Sequence, residues 1–167
     1  MLDNQDDLRF LLNKAIFFLK FRPRTEKEVF DYLFKKIKTT HYSTDDIKKV
    51  IGKLKEINLL NDKKFIEDYV AFRLKNNPKS QKVLILELRK KGIDEKLISE
   101  FFAQNQINEE ELAFLVLKKR WSRWLNLDKT KRLKKAFDFL GRRGFDYEVS
   151  KKTVEKLAQS GKIELNI

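Results

Sequence analysis

Eleven basic side chains fall between residues 118 and 143: Lys118, Lys119, Arg120, Arg123, Lys129, Lys131, Arg132, Lys134, Lys135, Arg142 and Arg143. Only Asp128 and Asp138 oppose them, a local excess of nine positive charges. Such a cluster can do one kind of chemistry. It holds phosphates or carboxylates, with a steep dependence on salt. A charge run is ordinarily a solvated helix face, but an excess of this size makes a binding surface an equally good reading. Arg22 and Arg24, beside Pro23, and Lys79 and Lys82, beside Pro78, can continue the stripe.

Little else in the chain could do chemistry. There is no cysteine, so disulfides, thiolate metal sites and cysteine nucleophiles are excluded. His41 is the only histidine and has no second ligand to complete a metal site. Most carboxylates stand at helix starts, where capping accounts for them. No glycine-rich phosphate loop and no serine–histidine–acid constellation occurs. No catalytic residue, metal or cofactor is expected, and the chain reads as a non-enzyme. Trp121 and Trp124, beside Arg120 and Arg123, could stack on bases, but aromatics three residues apart more often pack between helices.

Composition bounds what carries these residues. The 167 residues have a formal net charge of +13 and 41% apolar side chains, enough for a packed core and attractive to polyanions. No apolar run approaches the length of a bilayer span, and no signal peptide opens the chain, so a cytoplasmic protein is expected. Five glycines, two prolines and no β-branched alternation predict an all-α fold.

The elements follow from apolar spacing and capping signals. A first helix carries Leu8, Leu11, Leu12, Ala15, Ile16 and Leu19 and ends before Pro23. Thr25 and Glu28 form a capping box for a second, with Val29, Phe30, Leu33, Phe34 and Ile37 on its face. Ser43 or Thr44 opens a third, with Ile47, Val50, Leu54 and Ile57, which Asn58 ends. A fourth begins at Asn61-Asp62. Ser80 opens a fifth, from Val83 to Leu88, apolar on more than one side and so expected at the middle of the molecule. Gly92 ends it, and Asp94 caps a sixth. Asn108 starts a seventh bearing Leu112, Leu115, Val116, Trp121, Trp124 and Leu125. Leu133, Ala136, Phe137 and Leu140 form the core face of an eighth, which Gly144 ends. Asp146 caps a ninth, with Gly161 as its expected stop.

These helices group in threes. Gly92 and Gly144 are 52 residues apart, and Pro23-Arg24-Thr25 and Pro78-Lys79-Ser80 are 55 apart, while Lys129-Thr130 fits that register loosely. Three tandem three-helix repeats are expected, at 8–60, 61–107 and 108–160, with tails at 1–7 and 161–167. Stacked, they would form an elongated, curved, solenoid-like rod.

Four segments resemble the RecX regulatory proteins. They are Arg22-x-x-Thr25-x-x-Glu28-Val29-x-x-Tyr32-Leu33; Leu59-Leu60-Asn61-Asp62-Lys63-Lys64-Phe65; Pro78, Leu84, Glu87-Leu88 and Lys91-Gly92-Ile93; and Phe139-Leu140-x-Arg142-Arg143-Gly144-Phe145. Each is weak alone, and the four in order are specific. Asn58 and Asn77 depart from the pattern where the family often has glycine, and Lys38 to Ser43 replace a tighter turn. The resemblance implies a regulator that binds the RecA filament on single-stranded DNA and suppresses strand exchange, ATP hydrolysis and coprotease activity in the SOS response. A monomer with no membrane partner is expected, and charge reversal at Arg142 and Arg143 is expected to weaken filament binding more than folding. Reading Leu133 to Leu157 as a stand-alone helix-turn-helix DNA-binding unit is the alternative. A binder of anionic membranes fits less well, because the narrow apolar faces are needed for the core.

Overall fold

The computed structural model describes residues 8–163. Among them every regular element is helical. The helices are α1 (Arg9–Leu19), α2 (Glu26–Ile37), α3 (Thr44–Glu56), α4 (Asp62–Asn76), α5 (Gln81–Lys90), α6 (Glu95–Gln104), α7 (Glu109–Trp121), α8 (Lys129–Gly141) and α9 (Tyr147–Ile163), with a 3-10 turn at Ser122–Trp124. The tail expected at 1–7 lies outside the described residues, and of the tail expected at 161–167 the first three residues are helical and the rest lies outside them.

The capping signals act where they were expected. The Thr25 hydroxyl accepts from the Glu28 amide, and the Glu28 carboxylate accepts from the Thr25 amide. Ser43 and Asp46 form a second box at α3. Asn108 caps α7, and Asp146 accepts from Val149 N–H at α9. Asn58 takes a positive φ of 56°, the left-handed stop that an asparagine tolerates best after glycine.

The chain forms two compact units, Met1–Tyr69 with Glu87–Phe101, and Val70–Leu86 with Phe102–Ile167. The core of the first unit is Leu11, Ala15, Val29, Leu33, Ile47, Val50 and Leu54, from α1, α2 and α3. That of the second unit is Ala113, Leu117, Trp121, Ala136, Phe139, Leu140, Val154 and Leu157, from α7, α8 and α9.

The two recurring motifs of the sequence meet each other, once in each unit. In the first, the Thr25 hydroxyl donates to the Lys91 carbonyl at 2.7 Å, just before Gly92, and Glu26 N–H donates to the Asp62 carboxylate at 3.0 Å. In the second, Ser80 N–H donates to the Arg143 carbonyl at 2.9 Å, just before Gly144, and Gln81 N–H donates to the Glu109 carboxylate at 2.7 Å. Each joint thus locks the start of one repeat's second helix onto the next repeat's first helix and its glycine turn. Both glycines have positive φ, 76° and 86°. Thr25 is fully buried. Thr25→Val should remove both its cap and its bond to Lys91, costing about 2–3 kcal/mol, measurable as a lower denaturation midpoint against Thr25→Ser, which keeps the hydroxyl.

Several expected faces shift. Ile16, Phe34, Ile57, Leu115 and Leu125 are exposed rather than buried. On α7 the stripe is instead Ala113, Val116, Leu117 and Trp121, because α9 and α8 cover that side. α7 ends at Trp121, so Trp124 belongs to the 3-10 turn. α5 is not apolar all round in practice: Leu84 and Leu88 are buried and Leu86 is exposed. α9 runs through Gly161 to Ile163. Glycine weakens a helix by about 1 kcal/mol but ends it only when a left-handed turn follows.

Candidate functional site

In the second unit the basic cluster is built on aromatic rings. The Arg143 guanidinium lies 4.0 Å from the centre of the Phe139 ring, and that of Arg120 lies 5.8 Å from the same ring. Arg132 lies 5.5 Å from Trp121. Trp124 meets Phe139 edge-on at 5.9 Å. The cations of α7 and α8 are therefore held by the core they surround, and stacking leaves guanidinium edges available to acceptors. Burial pushes the Arg143 pKa down, and the charges of Arg120 and Arg142 add to this. Its Nε is buried and donates to nothing. A nearby anion would relieve the crowding of like charge.

The remaining cations are simpler. Lys119, Arg123, Lys134, Lys135 and Arg142 are exposed and make no ion pair among the described residues. Lys118 lies 6.0 Å from the Phe114 ring. Lys131 pairs with Asp128, its own helix cap, at 3.4 Å. Lys82 is exposed and Lys79 half-buried at the start of α5. The tryptophans pack: Trp121 is buried and Trp124 half-buried.

Arg22 and Arg24 belong to the first unit. Arg22 pairs with Glu28 at 2.9 Å. Arg24 stacks on Phe18 at 4.0 Å, the same distance at which Arg143 stacks on Phe139. Its Nε is also buried and unpartnered, and burial, then Arg22, lowers its pKa. For Glu28, burial raises the pKa, but the hydrogen bonds from Arg22 and the Thr25 amide, with the charge of Lys91, hold it below the ordinary range. Arg89 pairs with Glu95, and Lys91 pairs with Glu28 and lies over Phe65 and Tyr69. These two cations serve the architecture.

Phe139 is the residue that sequence reasoning missed. The apolar spacing assigned the core face of α8 to Leu133, Ala136, Phe137 and Leu140. Phe139 is buried there too, with Leu133 and Phe137 only half-buried. The available signal was its place three residues after Ala136, on the same side of the helix.

His41 is exposed, beside Tyr42. Among the described residues no group of metal-ligating side chains occurs, and no helix is long and apolar enough to cross a membrane.

Fold and site together define an all-helical protein of tandem three-helix domains with a concentrated cationic surface. Models of the first, second and third three-helix domains of RecX match residues 12–54, 61–100 and 108–154. The chain belongs to the RecX family of regulatory proteins. Regulatory protein RecX of Bacillus velezensis is 36% identical over 157 residues, 90% of this chain and 56% of that protein. The Bacillus subtilis protein of the same name is 33% identical over 156 residues, 91% of this chain and 56% of that protein. The crystal structure of RecX from Lactobacillus salivarius superposes with a TM-score of 0.75 at 27% identity, covering 93% of this chain and 99% of that one. The chain spans just over half the length of the two Bacillus relatives.

Proposed function

We propose that this protein binds the RecA filament on single-stranded DNA and restrains its recombinase, ATPase and coprotease activities. What carries the reading is the ordered match of three RecX domains. The cationic surface supports it, because the DNA in such a filament carries a phosphate backbone that attracts a basic ligand. The residues proposed to meet the filament are Lys79, Lys82, Lys118, Lys119, Arg120, Arg123, Lys131, Arg132, Lys134, Lys135, Arg142 and Arg143 of the second unit, with Arg22 and Arg24 of the first. The protein acts as a monomer in the cytoplasm, without a cofactor.

Stand-alone helix-turn-helix reading is the weaker account. α9 opens with Tyr147 and Glu148, and Lys152 is held by Glu110 at 2.7 Å. Few side chains remain there to read base edges. The test is RecA's DNA-dependent ATP hydrolysis with and without this protein across a salt series. Inhibition that fades as salt rises is expected. No effect at any ratio would overturn the reading, and tight, sequence-specific binding to naked duplex would favour the alternative.

A further inference from the structure

The first unit carries an apolar groove that the cationic surface does not explain. Its volume is about 860 Å³, and it runs between the C-terminal half of α1 and the α3–α4 connection. Ile16, Phe17 and Phe21 wall one side and Leu59 the other. Phe17 is 59% exposed, Phe21 67% and Leu59 49%, so four large apolar side chains, with Ile16, face solvent around one concavity. Monomeric proteins rarely leave such a patch uncovered without a partner for it.

The rim selects the partner's charge. Lys20, Arg22, Arg24 and Lys64 line the groove, against one carboxylate, Asp68. Lys64 and Asp68 neutralise each other at 2.6 Å, and Arg22 is held by Glu28. Lys20 makes no ion pair among the described residues, and Arg24 rests on Phe18 without a carboxylate bonded to it. The walls suit apolar side chains better than a stack of bases. Ile16 and Leu59 are aliphatic, and Phe17 and Phe21 meet edge-to-face at 5.1 Å and 80°, so they offer no pair of parallel faces for a base to enter.

We propose that this groove docks a short protein segment of the filament, one that inserts apolar side chains between Phe17, Phe21 and Leu59 and sets carboxylates against Lys20 and Arg24. The inference rests on the proposed function for the identity of the partner. It divides the labour within the chain: the groove of the first unit takes protein, and the cationic surface of the second takes phosphate.

The test uses the full chain with Phe17→Glu and Phe21→Glu together. Both positions are exposed, so helical content and melting should stay near wild type, and Leu59→Asp on the opposite wall is an independent second variant. Binding is measured to RecA filaments assembled on a thirty-nucleotide oligo-dT, and to the same oligo-dT alone. At least a tenfold loss of filament affinity is expected, with oligo-dT affinity within twofold of wild type, and Lys20→Glu should reproduce part of the loss. Filament affinity equal to wild type in both groove variants would overturn the inference and leave the proposed function standing. Equal loss of oligo-dT binding would also overturn it, by placing nucleic acid in the groove. So would self-association of the wild type that the double variant abolishes, since a second copy would then be the occupant. A wild-type chain that fails to bind filaments at all would overturn the proposed function, and this inference with it.

Discussion

Replacing Gly144 by alanine is expected to destabilise the second unit by about 3 kcal/mol. Two costs add. The backbone there has φ of 86°, where a side chain costs about 1–2 kcal/mol. A Cβ built at this position would also lie 2.2 Å from Val83 Cγ2 and 2.5 Å from Ser80 Oγ, so the joint must open to admit it. Overpacking of this kind costs about 1–3 kcal/mol. Both tryptophans belong to this unit, with Trp121 in its core and Trp124 against Phe139. Urea unfolding followed by tryptophan fluorescence should therefore show a midpoint lower by about 1–2 M. Gly141→Ala is the control three residues away. Gly141 is helical and nothing stands within 4 Å of a Cβ there. It should gain about 0.5–1 kcal/mol from reduced freedom of the unfolded chain. Equal effects at the two glycines would refute the joint as the reason for Gly144.

Reversing Lys134, Lys135 and Arg142 to glutamate together should weaken binding to RecA filaments at least about tenfold at low salt. The same variant should lose about 2 from the salt slope for single-stranded DNA, since each lost phosphate contact removes roughly 0.7. All three side chains are exposed without an ion pair among the described residues, so each reversal should change stability by no more than about 0.5 kcal/mol. Arg143 does not belong in that set. Its guanidinium is stacked on Phe139, its Nε is buried, and its carbonyl accepts from Ser80 in the joint. Arg143→Glu should lower stability as well as binding. The pair of arginines that the sequence offers as one functional unit thus divides into an exposed cation and a packed one. A triple variant that binds filaments as tightly as wild type across the salt series would remove this surface from the site.

The helix starts were legible because capping is local. Thr25 with Glu28, Ser43 with Asp46, and Asn108 with the Glu111 amide each act within four residues, a range that the sequence displays directly. The glycine turns were legible for a similar reason, since a left-handed residue after an amphipathic helix has few alternatives to glycine. The order of three repeated units followed from the spacing of those turns. The excess of positive charge between residues 118 and 143 is a property of composition and needs no fold to be seen.

What the tertiary structure decided is which distant groups meet. Apolar periodicity gives a helix a face but does not say how wide a strip its neighbours cover. Leu115 and Ile16 therefore stand in solvent while Phe139 is buried. The repeated hydroxyl and the repeated glycine could be read as two separate motifs. Only folding showed them as the halves of one joint, Thr25 against Lys91 with Lys27 packed on Gly92, and Ser80 against Arg143 and Gly144. The same holds for the charge. Its sign and amount lie in the sequence, but whether a given arginine packs on a ring or reaches toward a phosphate depends on contacts between residues far apart along the chain.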